Sequence, residues 1–175
     1  MTLSSASIIV ARMTIEQDIA QIARQEQALQ FDRFSVADAW AIGQKLQAAA
    51  SLRKAPVAID ISLATRQVFF AALEGSAPDN AEWIRRKRNC VFRFSKSSYR
   101  LKLELEQAKT DLLTRTGLDA KDHAASGGSF PVTLRGTGII GAITVSGLPQ
   151  REDHSLIVGV LAEVLGAALD TLALA

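Results

Sequence analysis

The chain has 175 residues and a formal net charge of +2, so it can bury one domain core and carries too little charge for a general nucleic-acid binder. Hydrophobic residues make up 48% and charged residues 22%, which is typical of a soluble globular protein and not of a disordered one. The single cysteine, Cys90, excludes an intramolecular disulfide and favours a reducing, cytoplasmic location.

The first predicted helix begins at a capping box. Thr14 and Gln17 have the spacing at which the two side chains satisfy each other's backbone N–H groups. An apolar stripe follows at helical spacing, at Ile15, Ile19, Ile22 and Leu29. Residues 1–13 lack the basic region and long apolar run of a signal peptide. We therefore predict a flexible N-terminal extension over 1–13 and a single domain over 14–175.

A second helix and a β-hairpin are predicted next. Ser35 with Asp38 favours a helix start, and Pro56 prevents the helix from continuing. Residues 57–63 alternate between apolar and polar side chains, a pattern typical of a half-buried strand. Residues 67–73 (QVFFAAL) are predicted to form its antiparallel partner.

The middle of the chain is predicted to be helical. Asp79 is expected to cap a helix on which Lys87 projects toward the apolar face, while Arg85 and Arg86 point away. Residues 101–112 combine a helical apolar stripe with i,i+4 ion pairs, so they favour a helix over a strand. A further short helix is predicted from Asp119.

A basic run accompanies these helices. Residues 85–102 contain eight basic side chains and no acidic one. The run is either a solvated helix face or a phosphate-binding surface, and its lack of exposed aromatic residues favours the former. Lys87 and Arg88 either extend past apolar neighbours or face a ligand.

A glycine-rich segment precedes the last helix. Residues 131–135 and 139–146 predict a hairpin, so Gly136 to Gly141, which match G-x-G-x-x-G, form a turn. A dinucleotide loop would instead lead from a strand into a helix. The last helix is predicted to begin near Asp153 as its N-cap, with His154 on the surface.

Two glycine-containing junctions form the remaining candidate site. Unpaired N–H groups at such junctions attract anionic groups such as carboxylates, although the glycines could equally serve only to let the chain turn. Two histidines and one cysteine give no pattern of metal ligands, so no metal is predicted. The candidate ligand-binding residues are Lys87, Arg88, Gly127, Gly128, Ser146, Gly147, Asp153 and His154.

Three segments together resemble the haem-degrading domain family of GlcG- and HbpS-like proteins, in particular a branch found in bacteria and yeast that has no assigned reaction. They are PDNAEWIRRKR at 78–88, GGSFPV at 127–132 and GIIGAITVSG at 138–147, within a likeness that covers about residues 15–172. The resemblance implies a profilin-like α/β (α+β) fold, with a central antiparallel β-sheet of about five strands flanked by α-helices. It also implies homo-oligomers, commonly built from dimers into larger rings.

The resemblance makes haem a candidate ligand. Haem iron takes an axial His, Cys, Met or Tyr, and this chain offers few: His123, His154, Cys90, Tyr99 and two methionines. The leading hypothesis is a cytoplasmic, homo-oligomeric domain that binds haem or a small carboxylate between the Lys87 helix and the two glycine junctions. The alternative is a non-catalytic homo-oligomeric protein-interaction module. Neither hypothesis assigns a reaction, a membrane partner or a nucleic acid.

Overall fold

The computed structural model describes residues 13–174, so the predicted N-terminal extension lies outside the described residues except for Met13. The described chain contains seven helices and four strands in the predicted order, with one extra short helix at the end. They are α1 (Ile15–Ala28), α2 (Val36–Leu52), β1 (Ala58–Leu63), β2 (Arg66–Ala72), α3 (Asn80–Phe94), α4 (Ser98–Gln107), α5 (Leu112–Thr116), β3 (Ser129–Leu134), β4 (Gly138–Ser146), α6 (Gln150–Leu165) and α7 (Leu169–Leu172).

The strands form one antiparallel sheet in the order β2-β1-β4-β3. The predicted hairpins are confirmed, and the turn at Gly136 to Gly138 has the positive φ angles that glycine adopts freely. The expectation of about five strands is wrong, since the described residues form four. The long connection between α4 and β3 contains α5 instead of a strand, because Asp111 caps a short helix and Gly117 ends it.

One face of the sheet carries the main apolar core. Alternate residues of β1, β3 and β4 point into it, where they pack against α2 and α6. The largest fully buried apolar side chains in this core are Leu29, Ile42, Leu46, Ile59, Ile61, Phe130, Ile143, Ile157 and Leu161. This face contributes most of the stability of the domain, because the burial of apolar surface is the main favourable contribution to the free energy of folding.

The opposite face is polar yet buried, because α3 lies across β1, β3 and β4. Asp60, Ser62, Thr144 and Ser146 project from the strands toward this helix and are all buried. The prediction of a half-buried β1 is therefore wrong: the alternation is present, but α3 covers the second face. The hydroxyl groups of Ser129 and Thr144, 2.8 Å apart, pair with each other within this layer.

The helix starts were predicted with mixed success. The capping boxes at Thr14 and Ser35 are confirmed. Asp79 precedes α3 but its side chain makes no capping hydrogen bond, so that prediction is wrong. The prediction of a short helix from Asp119 is also wrong, because the helix in this region is α5, which ends at Thr116.

The C-terminal segment is tied to the first helix. The Gln21 side chain donates to the carbonyl of Thr171 over 2.7 Å, and the Gln25 side chain donates to the carbonyl of Leu172 over 2.6 Å. The segment that follows α6 thus packs against α1 and α6 through α7, with Leu172 buried. Within residues 13–174, no helix has the length and apolar character needed to cross a membrane.

Candidate functional site

Lys87 is buried beneath α3 in an ion pair, which confirms the prediction that it projects inward. Its Nζ lies 3.0 Å from Oδ2 of Asp153 on α6 and donates to the carbonyl of Val145 on β4 over 3.1 Å. The two side chains are only 3% and 2% exposed. The pair therefore links α3, β4 and α6 at one point.

Burial opposes the charges of both partners. It lowers the pKa of Lys87 and raises the pKa of Asp153, while the attraction between the two groups acts against each shift. Asp153 also accepts the backbone N–H of Leu148 over 3.0 Å. The charge of Lys87 is thus already balanced by a carboxylate, and the predicted role of Asp153 as an N-cap is wrong because α6 begins at Gln150.

The glycines at the two junctions allow close packing around this pair. Gly128 has a φ of +113°, and a Cβ there would lie 2.4 Å from the Val145 carbonyl oxygen and 2.9 Å from Lys87 Nζ. Gly147 is similar, since its Cβ would lie 2.4 Å from the carbonyl oxygen of Pro56. Gly127 donates its N–H to the Gln150 side chain over 3.0 Å, so this group is not open to a ligand.

A cavity of about 250 Å³ lies between α3 and the junction of β4 with α6, and the predicted Gly127 and Gly128 are not among its lining residues. Four of the predicted residues line it together: Lys87, Ser146, Gly147 and Asp153. Sequence reasoning missed the other lining residues, which are Asn80, Trp83, Ser126, Leu148 and Gln150. The Asn80 side chain donates to the Ser146 carbonyl, so it fixes the strand end that forms one wall.

Arg88 does not join this cavity. Its Nη1 atom contacts the buried carboxylate of Asp60 at 3.2 Å and donates to the Ser62 hydroxyl over 2.7 Å. With these contacts, Arg88 lines a different, polar cavity of about 420 Å³ beside the β1–β2 hairpin. Neighbouring residues on a helix face different directions, so Lys87 and Arg88 serve different places.

His154 is also absent from the cavity, and the expectation that it is a surface residue is wrong. Its ring is fully buried between the rings of Tyr99 and Phe130, and Nε2 is 2.7 Å from the Oε1 atom of Gln25. Burial lowers the pKa of His154 to about 3. This histidine stays neutral at physiological pH and belongs to the core.

His154 predicts acid sensitivity of the fold. Because its pKa is depressed in the folded state, the unfolded chain takes up a proton between about pH 6.5 and 3, and stability is lost as the pH falls through that range. We expect His154 to account for a loss of about 2–3 kcal/mol between pH 7 and 4.5. Urea unfolding at both pH values, compared for wild type, His154→Gln and His123→Gln, measures this. An unchanged pH dependence in His154→Gln would contradict the assignment.

A larger groove of about 490 Å³ adjoins the Lys87 cavity and shares Trp83, Ser126 and Gln150 with it. The groove lies between α3, α4, α5 and the loop before β3. Its walls are mainly apolar, with contributions from Leu105, Leu112, Leu113, Leu118, Ala124 and Ala125. Such a surface suits a partly apolar ligand.

Two polar side chains in this groove have unpaired buried atoms. Nε of Arg86 and Nδ1 of His123 are buried and have no hydrogen-bond partner in the described part of the chain. The guanidinium of Arg86 stacks over the ring of Trp83, with 4.2 Å between its Cζ and the ring centroid. The sequence predicted that Arg86 points away from the apolar face of α3, but it did not predict the burial of Nε beside Trp83. The i,i+3 spacing of Trp83 and Arg86 was the available signal.

Metal binding finds no support in the described residues. Across residues 13–174, no three His, Cys, Asp or Glu side chains are grouped closely enough to hold an ion. Cys90 is buried, and burial raises the pKa of its thiol to about 12, so the thiolate is not available as a nucleophile.

Comparisons with known proteins extend this picture. The sequence model of the family described as "Haem degrading protein HbpS-like" matches residues 34–162. A UPF0303 protein of Rhizobium meliloti is 54% identical over 162 residues, which cover 93% of this chain and 99% of that protein. The crystal structure of the Ybr137w protein matches with a TM-score of 0.77 and 28% identity, over 85% of this chain and 87% of that one. A PduOC:haem complex matches with a TM-score of 0.63 and 16% identity, over 74% and 93%, which shows a similar fold.

Proposed function

Since the chain belongs to the family of HbpS-like haem-degrading proteins, we propose that it is a binding domain for haem or a similarly flat, apolar anion. The groove between α3, α4 and α5 is the proposed binding place. Arg86 therefore replaces Lys87 as the residue proposed to bind the anionic group of the ligand. Lys87 is balanced by Asp153, whereas Arg86 forms no ion pair in the described residues and has an unpaired buried nitrogen.

The unpaired atoms of Arg86 and His123 carry this proposal. A buried donor or acceptor without a partner costs about 1–3 kcal/mol, so a ligand group that pairs with it recovers that free energy. An arginine guanidinium is well suited to a carboxylate, because it presents several donors in a fixed plane. Arg86 stacked on Trp83 is therefore the group that would hold a propionate, and the apolar wall would cover the ring.

The candidate axial ligands can now be separated by accessibility. His154 bonds to Gln25 in the core, Cys90 is fully buried, and Tyr99 is 7% exposed and packs against His154. His123 alone among these lines the groove. Its imidazole fits the nitrogen ligand that haem iron takes, so His123 and Arg86 would hold the group. Bound haem would supply iron-centred redox chemistry.

Hemin titration tests this proposal, with two adjacent arginines as a matched pair. Arg86→Gln should weaken hemin binding about tenfold, the effect of losing one charged hydrogen bond, while Arg85→Gln should leave it unchanged. Arg85 pairs with Glu82 and Asp122 and does not line the groove. The readout is the Soret band, and His123→Ala should also shift its position.

Two results would count against haem binding. No Soret shift at stoichiometric hemin would remove haem as the ligand and favour the interaction-module alternative. Equal affinities of Arg85→Gln and Arg86→Gln would place any bound hemin elsewhere. Apolar fluorescent anions then serve as the next probe, because the apolar wall and Arg86 would bind an anionic apolar ligand whether or not it contains iron.

Self-association and a cytoplasmic location stay predictions. Exposed apolar side chains on α2 and β2 support a contact with a second copy: Val36 is 43% exposed, Trp40 55% and Phe70 45%. Burying such residues against a second copy would remove apolar surface from water. Light scattering on the purified protein measures the mass of the assembly directly.

A further inference from the structure

The Lys87 cavity is chemically different from the groove beside it. Its volume of about 250 Å³ compares with about 30 Å³ for one water, so it admits a small molecule of up to about eight heavy atoms. Its wall contains a buried amine next to a buried carboxylate. Because the charges of the two groups balance, the pair adds little attraction for an anion. A buried amine on a cavity wall therefore needs another role than anion binding.

Lys87 lines the cavity, and its Nζ has two hydrogen-bond acceptors around it. Asp153 Oδ2 lies 3.0 Å away and the Val145 carbonyl oxygen 3.1 Å away, which are two acceptors for two N–H groups. A neutral amine that donates both hydrogens keeps its lone pair for a third direction. Gly128 does not line the cavity and packs closely on the amine, since a Cβ there would lie 2.9 Å from Nζ, so a ligand reaches the nitrogen from the cavity side.

Burial also favours the uncharged forms of both groups. It lowers the pKa of Lys87 and raises the pKa of Asp153, so burial eases the transfer of a proton from the Lys87 amine to the Asp153 carboxylate across their 3.0 Å contact, which gives a neutral amine beside a carboxylic acid. A desolvated lysine of this kind is the usual nucleophile for carbonyl compounds.

We propose that Lys87 forms a Schiff base with a small aldehyde or ketone bound in this cavity. The amine nitrogen attacks the carbonyl carbon, the C–N bond forms, and a proton passes from nitrogen to oxygen to give a carbinolamine. Asp153 then donates a proton to the hydroxyl group, the C–O bond breaks, and water leaves. The product is a protonated imine paired with the Asp153 carboxylate, and no oxidant, reductant or metal is required. Lys87 and Asp153 do not line the neighbouring groove, so this inference does not rest on haem binding.

Borohydride trapping tests the proposal with the full chain. The protein is incubated with pyruvate or acetone, reduced with sodium borohydride and digested, and the modified lysines are mapped by mass spectrometry. We expect Lys87 to be labelled at least tenfold faster than the exposed Lys45. Lys87→Arg should lose this labelled peptide, and Asp153→Asn should slow labelling at Lys87 at least tenfold because it removes the proton donor.

The wild-type protein by itself decides the outcome, even where a variant folds poorly. Labelling of Lys87 that is no faster than that of Lys45, or that appears only in urea, would overturn the proposal. Circular dichroism of each variant separates loss of chemistry from loss of fold. Hemin titration of Lys87→Arg keeps the two proposals distinct, since its Soret shift should equal that of wild type.

Discussion

Gly128→Ala is expected to lower the free energy of unfolding by about 4 kcal/mol, combining backbone strain with overpacking. The residue has a φ of +113°, and the new Cβ would lie 2.4 Å from the Val145 carbonyl oxygen and 2.8 Å from the Asp153 Cβ. Neither neighbour can move easily, because one is strand backbone and the other is held in the ion pair with Lys87. Urea denaturation measures the loss, and failure to obtain folded protein is its extreme form.

Gly138→Ala is the matched control for this substitution. Its φ of +108° is nearly the same, but no atom lies within 4 Å of the added Cβ. It should therefore lose only the strain contribution, about 1–2 kcal/mol. If the two variants lose equal stability, the close packing around Lys87 is not what requires glycine at position 128.

The second large effect is expected from breaking the Lys87–Asp153 pair. Lys87→Met leaves a carboxylate buried without its partner, so the free energy of unfolding should fall by about 3–5 kcal/mol at pH 7. The double variant Lys87→Met with Asp153→Asn should recover at least about 1 kcal/mol of this loss, because it buries no charge and the asparagine can still accept the Leu148 N–H.

The pH dependence of the stability of these variants tests whether Lys87→Met leaves the Asp153 carboxylate buried without a partner. In Lys87→Met the pKa of Asp153 stays raised by burial, so the folded state binds a proton more tightly than the unfolded state. Relative to the double variant, which keeps the same His154 contribution, Lys87→Met should therefore regain stability as the pH falls from 7 toward the pKa of a free carboxyl group. A Lys87→Met protein with wild-type stability would show that the pair does not hold the helices together.

The sequence predicted those features that depend on neighbouring residues. The capping boxes at Thr14 and Ser35 need only a partner three positions away, and the hairpin turn at Gly136 needs only local glycines. The inward projection of Lys87 also followed from helical periodicity. Its partner could not be predicted, because Asp153 lies 66 residues further along the chain and has a pattern that equally fits an N-cap.

The groove was missed for a related reason. An arginine on the predicted polar side of a helix is usually solvated, and only the packing of α4 and α5 beside α3 turns Arg86 into a wall residue. Likewise, two-residue alternation predicted the two faces of β1 but not the helix that covers the second one. His154 was placed on the surface because nothing local indicates its contact with Gln25, 129 residues away.

The unlike faces of the sheet impose different rules on sequence change during evolution. Toward α2 and α6, an isoleucine can be exchanged for another apolar residue of similar volume at little loss, since dispersion and apolar burial have no strict direction. Toward α3, Asp60 has Arg88, Ser62 and Gln67 as partners, and a single exchange leaves groups unpaired. Residues there should change in concert, so new chemistry in this family is expected to arise beneath α3 through linked substitutions.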